Sequence, residues 1–359
     1  MPTVKLDSLR SFTVAAFERM GVSHENAVIT ADVLIASDRR GIASHGVARL
    51  ARYINGIKSG SIDPKAEPTI LKETPTTLLV DGNAGLGQVV SVKTMSRVIE
   101  KAKDMGLAAA VIRNSNHYGI AGYCAMMALN HDLIGVSSTN SAPLVLPTFG
   151  KDAVLGTNPI AVAVPTDKER PFVLDMATST VPRGKLEVYN RLGKPIPTSW
   201  ATDETGAPTT DPGRVLKNLL ERKGGGLLPL GGAGEDNSGY KGYGLAALVD
   251  IITGGLGLAS MGLEVYKNPK GPGPDVSHFL MAIDPAAFSG DIQSFKRRMD
   301  DYLRMLKSAP KQPGQSRIWV AGEKEWEAED RHEDTVDLDE PTLDKLREIG
   351  QELGLEVSL

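Results

Sequence analysis

The chain holds a single cysteine, Cys124, among 359 residues. An intramolecular disulfide is therefore excluded, and so is a metal cluster built on several thiolates. Such cysteine usage suits a reducing compartment. No apolar run approaches the roughly 18 residues that a membrane-spanning helix needs, and residues 1–19 carry polar side chains throughout, without the apolar core of a secretion signal. The expected location is cytoplasmic. There is no basic excess: the formal net charge is −4, which leaves no electrostatic footprint for nucleic acid or an anionic membrane surface. Small molecules and other protein chains are the expected partners. Internal repeats and low-complexity tracts are absent, as are a P-loop and an H-E-x-x-H pair. The common dinucleotide fingerprint G-x-G-x-x-G is missing too. Its nearest approach, Gly85-Leu86-Gly87-Gln88-Val89-Val90, ends in valine, and Gly255-Leu256-Gly257 falls inside a helical stretch. A nucleotide site, if there is one, is built some other way.

The length exceeds what one hydrophobic core usually serves, so two domains or one elaborate domain are expected. Apolar positions at helical spacing (Leu6, Leu9, Phe12, Val14, Ala15, Phe17) predict a helix over residues 4–19, stopped by Met20-Gly21. Ser23 is a candidate N-cap for a second helix, with Glu25 in its first turn. A third is predicted over 46–59. Residues 64–77 form a proline- and threonine-containing link, a candidate domain boundary. Beyond it, strand-like runs at 77–81, 107–112, 134–138, 160–164 and 172–174 surround a helix over 90–104, which predicts an α/β region built around a sheet. Residues 201–213 and the glycine-rich 227–239 read as loops and 243–258 as a buried helix. Residues 269–274 read as a break, and 295–307 and 342–353 as amphipathic helices.

Four segments concentrate small and polar residues. In the first, Ser44-His45-Gly46-Val47-Ala48-Arg49 stands at a helix start. Backbone donors there favour an anion, Arg49 suits a carboxylate, and Tyr53 shares its helix face. In the second, Arg113 to Gly122, His117 follows a strand, where α/β proteins place ligands, and an imidazole there can exchange protons near neutral pH. The third joins Gly156-Thr157-Asn158-Pro159 to Asp175-Met176-Ala177-Thr178-Ser179 and to Arg183 and Lys185, offering hydroxyls, amides and charge to phosphate oxygens. The fourth, Gly239 to Gly244, allows close backbone approach. Taken singly, each also reads as an ordinary cap, packed histidine, solvated turn or tight loop.

Jointly they are more specific. The chain resembles the type-2 malate/L-lactate dehydrogenase family, which also includes ureidoglycolate, sulfolactate and 2,3-diketogulonate oxidoreductases. The resembling residues are S-H-G-V-A-R-L at 44–50, V-D-G-N-A-G-L-G-Q at 80–88, N-H-Y-G-I-A-G at 116–122, G-T-N-P at 156–159, D-M-A-T-S at 175–179, R-G-K at 183–185, P-T-S-W-A-T-D at 197–203, T-T-D-P at 209–212 and G-Y-K-G-Y-G-L-A at 239–246. They stand in the family's order and cover most of residues 5–325. The resemblance implies an α/β (α+β) fold without a Rossmann domain. A mostly helical domain would come from both chain ends, 1–76 with about 245–359. A mixed-sheet NAD(P)-binding domain would span 77–244, and the enzyme would be a homodimer.

The resemblance also implies roles. His117 would be the general acid/base on the substrate oxygen, with His45 in a secondary catalytic or nicotinamide-positioning role. Arg49 would bind the substrate carboxylate, with Tyr53, Ser44, Thr157 and Asn158 around the substrate. Ile120, Ala121, Asp175, Met176, Ala177, Thr178, Ser179, Lys185 and Lys241, together with His45, would bind cofactor: NAD, or NADP in its place. No metal is implied. The expected reaction interconverts a 2-hydroxy and a 2-oxo acid, malate first, then lactate or sulfolactate. Reduction of a cyclic imine (Δ1-piperideine-2-carboxylate) or of diketogulonate is the alternative, and a non-catalytic nucleotide-binding protein the remote one. Two departures from the family pattern stand out. The 227–238 loop is longer than usual, and V-A-G-E at 320–323 replaces the more frequent P-G-E, which weakens any cofactor role for Gly322 and Glu323.

Overall fold

The computed structural model describes residues 2–267 and 273–356. It contains two compact units. The first comprises residues 1–137, 161–175 and 280–359, and the second 138–160 and 176–279. These units cut the chain along other lines than the expected 1–76 with 245–359 against 77–244. In particular, residues 77–137 belong with the chain ends.

The first unit opens with a short strand, Thr3–Lys5, which pairs antiparallel with Thr335–Asp337. Helix α1 follows over Leu6–Arg19 and α2 over His24–Arg39. The predicted helix over 4–19 thus loses its first two residues to a strand whose partner lies more than three hundred residues away. No local periodicity reveals such a partner. Ser23 caps α2 as expected, its hydroxyl accepting the Asn26 N–H.

The helix expected over 46–59 is divided. Ala43–His45 and Val47–Arg49 form 3-10 turns, Gly46 between them is extended, and α3 spans Leu50–Lys58. The reason is Asp38. Its carboxylate accepts the Val47 N–H at 2.8 Å and lies so close to Gly46 that a Cβ there would stand 1.8 Å from Oδ1. A buried core of Leu9, Phe17, Leu34, Val47, Leu50, Ile54, Leu346 and Ile349 packs these helices with Glu340–Leu353.

A seven-stranded sheet forms the unit's second layer. Across it run Thr69–Glu73, Thr77–Asp81, Leu107–Ser115, Val276–Ile283, Ile134–Thr139, Ile160–Val164 and Phe172–Met176. Its edge strand, Thr69–Glu73, lies inside the expected link and pairs antiparallel with Thr77–Asp81. All five of its residues are exposed, so no apolar alternation marks it. The third strand runs parallel to the second, which makes the sheet mixed. Helix α4, Gly87–Met105, covers the sheet through Val90, Met95, Val98 and Ile99. It starts three residues before the expected 90. Gly87 is the first helical residue, pressed against the chain leaving Leu107–Ser115. A Cβ on it would lie 2.2 Å from the Asn116 carbonyl oxygen. Helix α5, Ala121–Met127, follows that chain exit.

The second unit has its own core of Val145, Val181, Leu186, Ile196, Ala201, Val215, Leu227 and Ala246. Helices Arg183–Arg191 and Pro212–Glu221 lie in it, the latter capped by Asp211 where a loop to 213 was expected. The 227–239 segment is a loop after Leu227, with Gly231, Gly232 and Gly234 at positive φ. Helix Gly239–Asp250 passes into a π-helical turn at Ile251–Gly255. The helix expected to be buried over 243–258 instead keeps one face open: Leu248, Ile251, Leu256 and Leu258 are exposed, while Ala246, Val249 and Asp250 face inward. Of the expected break at 269–274, residues 269–272 lie outside the described residues.

Because the atoms opposing a Cβ at residue 87 are backbone, Gly87→Ala is expected to cost at least about 2 kcal/mol of stability. Urea unfolding followed by circular dichroism measures it, and an unchanged midpoint would contradict this packing.

Candidate active site

The first unit brings together His45, Arg49, Tyr53 and His117. Tyr53, on α3, is buried, and its hydroxyl lies 2.6 Å from His117 Nδ1. The Gly119 N–H points at the same nitrogen at 3.4 Å. The short contact can form in either tautomer, Tyr53 donating to Nδ1 or Nδ1 donating to the Tyr53 oxygen. Gly119 has φ +87°, and a Cβ on it would lie 2.5 Å from Val33 Cγ1. This position of the loop requires glycine.

His45 stacks on His117, with ring centroids 5.5 Å apart and planes 21° from parallel. Its Nδ1 lies 2.9 Å from Ser44 Oγ. Burial, then the charges of Arg49 and Arg52, push its pKa down to about 4, so the ring is neutral at neutral pH. Two stacked imidazoles therefore share the site without competing for a charge. Burial also pushes Tyr53 up to about 12, against the lowering influence of Arg52, Gln88 and Arg49. Tyr53 thus stays a phenol across the working range. Arg49 donates from Nε to the Ser44 carbonyl at 2.6 Å, which fixes the plane of its guanidinium.

The same unit holds a cavity of about 120 Å³, lined in part by Arg40, Ile120, Gly122, Asp175, Gly322 and Glu325. Its volume equals roughly four waters' share of liquid. Asp175 accepts the Gly122 N–H at 2.8 Å, and a Cβ on Gly122 would meet that carboxylate at 2.9 Å. Ile120 lines the cavity and Ala121 begins α5. Arg40 is neutralised by Glu329 at 2.8 Å and lies 4.2 Å from the Trp326 ring centroid. Gly322, set aside at the sequence level, lines the wall, whereas Glu323 is engaged with Lys307 and Arg317.

The remaining sequence-predicted residues, Thr157, Asn158, Met176, Ala177, Thr178, Ser179, Lys185 and Lys241, belong to the second unit. There the Thr178 hydroxyl donates to the carbonyls of Thr157 and Asn158, and Ser179 to Val181. Both are buried. In this conformation these hydroxyls serve their own loop rather than a phosphate. Asn158 is also closed on the backbone, accepting from Ser141 and donating to Ala246. Lys185 lies over Trp200 and Lys241 over Tyr240. Sequence reasoning missed Asp38, Arg52 and Gln88. Gln88 stood inside a quoted motif, but only as part of a glycine pattern. Among the described residues no group of three or more histidine, cysteine, aspartate or glutamate side chains could hold a metal ion, and no helix is long and apolar enough to cross a membrane.

A histidine hydrogen-bonded to a phenol, a second histidine stacked on it and a guanidinium held by a backbone carbonyl are side chains that can move a proton and bind an anion. Comparison with known proteins agrees. The family model described as malate/L-lactate dehydrogenase matches residues 4–347, and the chain belongs to that family, a family of enzymes that work with a nicotinamide cofactor. It is 46% identical over 354 residues to the malate dehydrogenase of Pyrococcus horikoshii, covering 98% of this chain and 96% of that protein. It is 38% identical to the L-sulfolactate dehydrogenase of Methanocaldococcus jannaschii, covering 99% and 98%. The crystal structure of malate dehydrogenase from Entamoeba histolytica superposes with a TM-score of 0.95 at 37% identity, covering 100% and 99%.

The Asp38 carboxyl is pushed up to about 7 by burial, with the Val47 N–H acting against the rise. Between about pH 4 and 7 the folded protein therefore keeps a proton that the unfolded chain has lost, and stability falls as pH rises through that window. Asp38→Asn retains an acceptor for Val47 and removes the titration. Denaturation midpoints across pH 4–8 are expected to decline less in the variant than in the parent; parallel curves would refute the assignment.

Proposed function

We propose that this enzyme interconverts 2-hydroxy and 2-oxo acids with NAD as cofactor, NADP being the alternative, and that malate/oxaloacetate is its first substrate pair. The observation that carries the reading is the assembly of Tyr53, His117, His45 and Arg49 in one unit. The malate assignment draws on the relative at 46% identity named for that substrate; lactate and sulfolactate follow. The same family reading makes the working form a homodimer, and the cysteine usage suits a cytoplasmic location.

The residues at the cavity suit part of a nicotinamide dinucleotide. The cavity walls carry glycine at Gly122, where a Cβ would intrude on Asp175, and hold carboxylate acceptors in Asp175 and Glu325 for hydroxyl groups. Ile120, Ala121 and Asp175 would hold the cofactor in this unit. When bound, the nicotinamide supplies hydride chemistry at the substrate's C2.

The chain's own work is to orient the acid and manage one proton. Arg49 grips the substrate carboxylate through its fixed guanidinium. During reduction the imidazolium of His117 gives its Nε2 proton to the carbonyl oxygen and keeps the other hydrogen on Nδ1, toward Tyr53; during oxidation the bare Nε2 takes the proton from the hydroxyl. Tyr53, hydrogen-bonded to Nδ1, orients the ring. His45, neutral and stacked on the ring, keeps a second positive charge out of the site.

A matrix of NADH and NADPH against oxaloacetate, pyruvate, sulfopyruvate and a cyclic imine tests the proposal. Turnover is expected to be fastest with NADH and oxaloacetate, and no turnover of any 2-oxo acid would overturn it. His117→Ala is expected to lose at least about 100-fold in kcat. Arg49→Ala is expected to raise KM for the acid far more than it lowers affinity for NADH, as measured by fluorescence titration.

A further inference from the structure

We propose that the open face of helix Gly239–Asp250, continued by the π-helical turn Ile251–Gly255, docks against a second copy of this chain, with the closest backbone approach at Gly244. This rests on the homodimer reading above and says where the second copy sits.

Tyr240, Gly244 and Leu248 stand four residues apart and Ile251 three beyond, so they share one side of the helix. All four are exposed. The π-helical turn carries the apolar stripe on to Leu256 and Leu258. Met261 adjoins it, since a Cβ on Gly255 would lie 3.5 Å from the Met261 sulfur. The large side chains of this face, Tyr240, Leu248, Ile251, Leu256, Leu258 and Met261, are 41–84% exposed. Between residues 242 and 263 the sequence has one charged side chain, Asp250, and that one is buried. A contiguous apolar surface without charge marks a contact with another macromolecule.

Gly244 adds an observation of a different kind. Glycine inside a helix weakens it relative to alanine, so each such glycine calls for a reason. Gly242 has its reason within the chain, because a Cβ there would lie 2.3 Å from the Leu230 backbone. So has Gly254, whose Cβ would lie 2.4 Å from the Ser260 carbonyl oxygen. A Cβ on Gly244 would meet nothing within 4 Å. Among the described residues nothing excludes a side chain at this position, and what the glycine admits comes from outside the chain.

Area and charge select the occupant. The six side chains leave on the order of 600 Å² uncovered, most of the roughly 800 Å² that each partner contributes to a standard interface. A charged partner finds no complement on this face, whereas the same stripe on a second copy matches it in chemistry. Paired about a two-fold axis, each copy offers the other a notch at Gly244 and a ridge four residues to either side.

Sedimentation equilibrium of the full chain tests the interface. The parent is expected at the mass of two chains at micromolar concentration. Leu248→Glu and Ile251→Glu put a carboxylate on a face that is open in the single chain, and Gly244→Leu fills the notch. Each is expected to weaken dimerisation at least about 100-fold with far-UV circular dichroism unchanged. Met305→Glu, at an exposed apolar position on Ile292–Ser308, is expected to keep the two-chain mass. Dissociation there as well would trace the effect to added charge and overturn the proposal. The parent's mass in either glutamate variant of the stripe overturns it too and leaves the homodimer reading standing. A parent that sediments as one chain overturns both. If Gly244→Leu stays a dimer but loses affinity for NADH in a fluorescence titration, the face belongs to the cofactor and the proposal falls.

Discussion

The 2.6 Å hydrogen bond between Tyr53 and His117 ties the helical layer of the first unit to its sheet layer. Tyr53 reaches it from α3, which is held by Leu50 and Ile54 in the helical core. His117 reaches it from the exit of Leu107–Ser115, against which α4 is pressed at Gly87. Neither residue has its geometry from its own segment. Both depend on close approaches that a methyl group would prevent, at Gly46, Gly87 and Gly119. The acid–base centre is therefore a property of the packing between two layers, and a small change in either would lengthen the bond that orients the imidazole.

Burial sets the charge states in this centre more than partner charges do. It lowers His45, raises Tyr53 and raises Asp38, in each case favouring the neutral form. The positive charge that remains comes from Arg49 and Arg52. Under the proposed function, an anionic acid would meet a guanidinium among side chains that burial holds toward their neutral forms, and one imidazole would change its charge during the reaction.

Much of this was legible in the sequence. His117 stood at a strand exit, Arg49 and Tyr53 shared a helix face, and Ser23 and most of the strands lay where their residue patterns put them. What escaped notice had tertiary causes. Asp38 breaks the helix at Gly46 from eight residues away through one carboxylate. The strand Thr69–Glu73 is exposed on both faces and carries no alternation. Gln88 reads as the end of a glycine motif, and its complete burial is a product of tertiary packing. The division into units was equally hidden, since residues 77–137 join the chain ends only through long-range packing.

The strand Val276–Ile283 sits in the middle of the seven-stranded sheet, between Leu107–Ser115 and Ile134–Thr139. A chain emerging from the ribosome delivers both neighbours long before the strand that joins them. Until residue 283 has been made, two half-sheets each present a raw inner edge with unpaired amides and carbonyls, the kind of edge that recruits strands from other molecules. Sheet closure must therefore be a late event in synthesis, and the nascent chain needs shielding through the translation of nearly the whole second unit.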